Sequence, residues 1–145
     1  MESYKLEDDN VLRFITAGKS EFSIKNEVTG THYTYKVMKA RNPQRDSKAV
    51  FFIRVCYEYL NFQYAGCLII GQDNSITYSK GVTGKIDSDA PSIKGLLWLF
   101  DKAVHNKPID KRMGIYHFGR CARCGKVLTD PESVRIGLGP DCRRH

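Results

Sequence analysis

Apolar and polar positions first alternate along this chain and later recur every three or four residues. Phe22-Ser23-Ile24-Lys25 alternates as a half-buried strand does, and a second alternating run follows in Tyr33-Thr34-Tyr35-Lys36-Val37. Between them Asn26-Glu27-Val28-Thr29-Gly30 is rich in turn formers, so the pair predicts a β-hairpin with Gly30 at positive φ. Residues 41–48 hold Asn42-Pro43 and a cluster of charges, and read as a loop. Residues 49–57 are dense in β-branched and aromatic side chains and predict a central strand. Residues 64–70 and 75–78 predict two more strands, separated by the turn Gly71-Gln72-Asp73-Asn74.

The period then changes. Ser88-Asp89-Ala90-Pro91 offers side-chain oxygens and a first-turn proline for a helix start. Ile93, Leu96, Leu97, Phe100 and Val104 form one apolar stripe on that helix, and Lys107-Pro108 ends it. The expected class is α+β: an antiparallel sheet of about five strands covered by one helix, followed by a small C-terminal zinc-knuckle module. The expected parts are a sheet-plus-helix body at 11–106, a basic linker at 107–114 and a zinc-binding module at 115–145. The first ten residues are polar, without the apolar core of a signal peptide. The longest uncharged apolar stretch, 65–71, is too short to cross a membrane. These features lead us to expect a cytoplasmic protein with no membrane partner.

Cysteine placement changes the picture most. Cys56 and Cys67 stand alone in strand-like runs, whereas Cys121, Cys124 and Cys142 crowd into the last 25 residues. A reducing cytoplasm disfavours disulfides, so clustered thiols point to a metal. Cys121-Ala122-Arg123-Cys124-Gly125-Lys126 has the spacing of a zinc knuckle, in which two sulfurs face one ion and Gly125 lets the backbone turn beneath them. Cys142 follows Gly139-Pro140 and supplies a third ligand for Zn2+; a structural site wants four. Two histidines compete for the fourth position. His145 makes a Cys-x-x-His pair with Cys142, and spacing alone favours it. His117 lies four residues before Cys121 on a strand-like aromatic run, away from a fraying terminus, and is the ligand expected here. Between the ligands, Thr129-Asp130-Pro131-Glu132 reads as a capping box with Thr129 as the cap, opening a short helix that runs to about Ile136 and stops at Gly137.

The spacing His117-x3-Cys121-x2-Cys124-Gly125-Lys126, then Leu128-Thr129-Asp130-Pro131-Glu132-Ser133, then Gly137-x-Gly139-Pro140-x-Cys142, resembles an uncharacterised zinc-module family common in bacteriophage and actinobacterial proteins. The wider layout is similar too, from Phe14-Ile15-Thr16-Ala17-Gly18-Lys19 to Asp89-Ala90-Pro91-Ser92 before a Trp-containing helix. The resemblance implies zinc binding and a phage or prophage origin, and supports His117 as fourth ligand. It implies no established activity.

Charge suggests what such a module touches. The net charge is +7, and residues 111–145 carry eight Lys and Arg against three Asp and Glu. Three thiolates and one divalent ion together subtract about one charge, which leaves the tail basic. Arg120, Arg123, Lys126, Arg143 and Arg144 flank the cysteines and are candidate phosphate contacts, with Tyr116 and Phe118 as candidate stacking residues. Nucleic acid is therefore the first expected partner. A second expectation is a phage accessory protein that binds a host protein or a nucleotide signal on the sheet, through Tyr57, Tyr59, Phe62 and Tyr64. No nucleophile elbow or phosphate loop is present, and Gly81-Val82-Thr83-Gly84-Lys85 has the wrong spacing for one, so no enzyme is expected.

Overall fold

The computed structural model describes residues 2–42 and 46–144. Its strands are β1 (Tyr4–Lys5), β2 (Lys19–Asn26), β3 (His32–Lys39), β4 (Ser47–Glu58), β5 (Asn61–Gly71), β6 (Ile76–Ser79) and β7 (Met113–His117). Its α-helices are α1 (Asp8–Ile15), α2 (Pro91–Val104) and α3 (Pro131–Ile136), and a 3-10 turn spans Cys142–Arg144. All seven strands form one antiparallel sheet in the order β1-β7-β2-β3-β4-β5-β6.

Alternation gives the sheet its two faces. Phe22 and Ile24 of β2, Tyr35 and Val37 of β3, and Phe51, Ile53 and Val55 of β4 are buried on one face. Helix α2 covers that face with Ile93, Leu96, Leu99 and Phe100, and the Tyr35 hydroxyl donates to the Ser92 carbonyl at 2.7 Å. Val11, Phe14 and Ile15 of α1 join the same core, and Phe14 meets Phe22 edge-on at 6.2 Å. Lys25, His32, Met38, Phe52 and Arg54 on the opposite face are exposed.

The hairpin expected at residues 22–37 is β2–β3, with Gly30 at φ 81° in its turn. The expected central strand is β4, which pairs with β3 and β5. Of the loop expected at 41–48, residues 43–45 lie outside the described residues, while Ser47 and Lys48 already belong to β4.

Several elements differ from expectation. The sheet has seven strands rather than about five, and α1 forms in a stretch that composition marks as polar. Its eight residues place Val11, Phe14 and Ile15 on one side behind the first-turn carboxylates Asp8 and Asp9. Helix α2 opens at Ala90 without any side-chain cap, so the Ser88 and Asp89 oxygens do not serve there, and Pro91 alone carries the start signal.

The largest difference concerns the tail. β7 runs between β1 and β2, so a boundary at residue 115 falls inside an interior strand. The stretch expected as a linker, 107–114, buries Ile109 and contributes Met113 and Gly114 to β7. Cys121, Ala122 and Leu138 sit in the same core cluster as Phe14 and Phe22. Truncation after Arg112 should therefore abolish the cooperative urea transition, because it removes an interior strand and opens the core. A near-native transition in the truncated chain would show that residues 2–112 fold without the tail.

Candidate metal centre

The cysteines are positioned by the sheet. β7 ends at His117, and an isolated antiparallel bridge between Arg120 and Val127 extends it into a tight loop. Within the loop the Cys121 N–H donates to the Lys126 carbonyl at 2.8 Å and the Gly125 N–H to the Cys121 carbonyl at 2.9 Å. Gly125 takes φ 81°, the left-handed value expected of the residue beneath a knuckle. Ala122, between the first two ligands, is fully buried; its carbonyl accepts from the Lys19 N–H of β2 and its N–H donates to the Gly137 carbonyl.

Helix α3 returns the chain to the loop. Its cap is Asp130 rather than Thr129: the Asp130 carboxylate accepts from the Ser133 N–H at 3.0 Å and from the Ser133 hydroxyl at 2.7 Å. Glu132 pairs with Arg135 instead of reaching back to the cap. The helix stops at Gly137, as expected, with φ 81°. A Cβ there would lie 2.3 Å from the Phe14 ring, so the tail presses on α1 at a point where only glycine fits. Two residues on, the Gly139 N–H donates to Cys121 Sγ at 3.4 Å, and Cys142 opens the 3-10 turn.

The Sγ atoms of Cys121, Cys124 and Cys142 thus come within 4.8 Å of one another. Sulfurs bound to a tetrahedral zinc ion at about 2.3 Å stand roughly 3.8 Å apart, so a small inward shift would seat an ion. Cys121 is buried, Cys142 half-buried and Cys124 exposed. Burial pushes the Cys121 thiol up, but N–H groups of Gly139, Cys124 and Arg123 point at its sulfur and hold it down at about 7. Cys142 moves the other way, to about 11, through burial and through the neighbouring sulfurs of Cys121 and Cys124. Three sulfurs this close resist becoming three thiolates unless a cation joins them. The cluster is one that could hold a metal ion such as zinc.

His117, the expected fourth ligand, is not part of the cluster. Its ring is fully buried, with Nε2 donating to the Val134 carbonyl at 2.6 Å and Nδ1 accepting from the Gly119 N–H at 3.0 Å. Both nitrogens are committed to backbone, and the ring packs between Tyr4 and Phe14, each 5.4 Å away. In this geometry it is a tie between β7 and α3. His145 lies outside the described residues, and among these no further His, Cys, Asp or Glu joins the three sulfurs.

The basic residues divide. Arg120, Arg123, Lys126 and Arg144 are exposed around the loop and turn. Arg143 is half-buried beside the acidic start of α3, where it helps keep Asp130 and Glu132 ionised, and its Nη1 is buried without a hydrogen-bond partner among the described residues. Its carbonyl accepts from the Arg13 guanidinium of α1. Arg143 therefore fastens the turn to the body, and the other four face solvent.

Residues 112–145 match a family of unknown function (DUF6011). The matched segment takes in β7, all three cysteines and α3. No curated protein and no solved structure matches the chain.

Parts of the site that carry no ligand atom leave little mark in the sequence. Ala122 and Gly139 shape the cluster through backbone groups, and no spacing rule flags them. Asp130 was legible as a cap, since Asp-Pro-x-Ser satisfies the rule as well as Thr-Asp-Pro-Glu does.

Two outcomes follow for His117. Replacing it with Gln should leave metal content per chain unchanged while lowering stability by about 1–3 kcal/mol, because part-buried backbone groups lose a partner and the ring leaves its packing between Tyr4 and Phe14. Loss of metal equal to that of Cys121→Ser would instead make the ring a ligand. Burial also holds the His117 ring below its ordinary 6.5, so the unfolded chain takes up a proton there more readily than the folded chain. This contribution to stability is complete above 6.5 and is lost as the pH falls through the lower folded value. Urea midpoints measured between neutral and mildly acid pH should fall more steeply for the wild-type chain than for His117→Gln.

Proposed function

We propose that the chain is a zinc-binding protein that binds nucleic acid, with Zn2+ held by Cys121, Cys124 and Cys142 as a structural ion and with the surrounding cations as phosphate contacts. The observation that carries this reading is the convergence of the three sulfurs within 4.8 Å at the end of a rigid strand. Tetrahedral zinc takes a fourth donor, and His145, in a Cys-x-x-His pair with Cys142, is assigned that place. The ion would fix the loop and the turn to each other. Arg120, Arg123 and Lys126, each within two residues of a ligand cysteine and each exposed, would then be carried on one ordered surface.

That surface has the charge for phosphate. The tail's excess of Lys and Arg outlasts the charge of the thiolates, and exposed cations that neutralise phosphates release counterions, so affinity falls steeply with salt. A structural role for zinc is supported by the burial of Cys121 and by the ties of its loop to the core through Ala122.

The test is binding of oligonucleotides to the purified chain at two salt concentrations, with zinc content measured on the same sample. Arg120→Ala/Arg123→Ala/Lys126→Ala should weaken binding and flatten the salt slope by about one unit per lost phosphate contact, with zinc retained. His145→Ala should weaken zinc retention against a chelator. Absence of oligonucleotide binding at low salt, with zinc fully bound, would overturn the nucleic-acid reading.

A further inference from the structure

The uncovered face of the sheet carries a groove that the zinc loop does not use. One cleft of about 540 Å³ is lined by residues including Glu21, His32, Thr34, Phe62 and Phe118. A second, of about 370 Å³, is lined by residues including Ser23, Lys25 and Tyr116, and shares His32, Thr34 and Phe118 with the first. The two therefore form one trough across β7, β2, β3, β4 and the start of β5, joined at His32, Thr34 and Phe118.

From this trough we infer a platform for single-stranded nucleic acid, on which unpaired bases stack against Phe118, Phe62 and Tyr116. The inference rests on the nucleic-acid reading above and names its substrate class. Three features support it. Phe118 is half-buried and lines both clefts, which puts part of its ring on the trough. Cations stand over the other rings: Lys36 Nζ lies 4.2 Å from the Phe62 centroid and Lys25 Nζ 5.9 Å from that of Tyr116. Lys25 and Lys36 thus place positive charge beside flat apolar surfaces, the combination that holds a phosphate backbone while bases stack.

Between the rings the floor is polar. Ser23 Oγ and Thr34 Oγ1 share a 2.6 Å hydrogen bond, and Glu21 and His32 stand at the wall. Such a floor suits heterocycles, which present a π face and a hydrogen-bonding edge, better than it suits an apolar side chain that needs a dry pocket. Five strands about 4.8 Å apart span roughly 19 Å, enough for two or three stacked bases. The trough also ends close in sequence to the cysteine loop, because Phe118 is followed at once by Gly119-Arg120. A strand leaving the platform would run onto the exposed loop cations. A duplex keeps its base faces stacked on one another and away from the rings, so the platform discriminates against it.

Phe62→Leu/Phe118→Leu keeps the bulk and removes the rings. The zinc-loaded full chain and this variant are titrated by fluorescence anisotropy with a labelled oligothymidylate of about twelve nucleotides and with a duplex of equal length. The expected result is tighter binding of the single strand by the wild-type chain. The variant should then lose about ten-fold or more of single-strand affinity, with its salt slope and duplex binding unchanged. Unchanged single-strand affinity in the variant, or no preference for the single strand in the wild-type chain, overturns the platform. Loss of binding in Arg120→Ala/Arg123→Ala/Lys126→Ala but not in the ring variant confines binding to the loop and refutes the platform alone. The converse refutes the loop as the contact and upholds the platform. Far-UV circular dichroism and zinc content on each sample establish that the variants are folded.

Discussion

The hydrogen bond from His117 Nε2 to the Val134 carbonyl is where the two ends of the site meet. It joins the last residue of an interior strand to the helix that returns the chain to the first cysteine. Because the ring is fully buried, it has no water to fall back on, and its geometry is held by the Val134 carbonyl. Ala122 and Leu138 continue the same contact into the core. The cysteines are therefore hung from the sheet rather than from a free-standing finger, and their backbone is ordered by protein contacts before a metal is considered.

That arrangement alters what a metal would contribute. In a small isolated zinc finger, the ion supplies most of the folding free energy. Here Cys121 and Ala122 are already core residues, so a bound ion chiefly relieves the conflict among three neighbouring sulfurs and fixes the exposed rim, Cys124 and the 3-10 turn. The rim also carries the exposed cations. Order at the metal and order at the basic surface are in this sense one property.

Much of the sheet was legible from alternation. Phe22, Ile24, Tyr35 and Val37 announced their own face, and the strand-rich run at 49–57 was central because it is apolar almost throughout. The cysteine cluster was legible from spacing alone. Three things were hidden for physical reasons. Helix α1 is two turns long, and its few apolar residues are outweighed in composition by the polar residues that precede them. β7 reads as a strand, but nothing local shows that its partners lie near residues 4 and 22, since strand order is a long-range property. His117 is the ligand expected from the sequence, where spacing reports only which residues can approach an ion. It does not report that a carbonyl and an N–H have already claimed both ring nitrogens.

The strand order has a consequence in time. The ribosome delivers β1 and β2 about a hundred residues before β7, the strand that separates them in the finished sheet. Until that late strand emerges, β1 has no partner and β2 has a bare edge towards it, a state in which pairing with another nascent chain competes with waiting. The same late segment brings the cysteines. Closure of the sheet and convergence of the three sulfurs thereby wait for the same late segment, as one event rather than two.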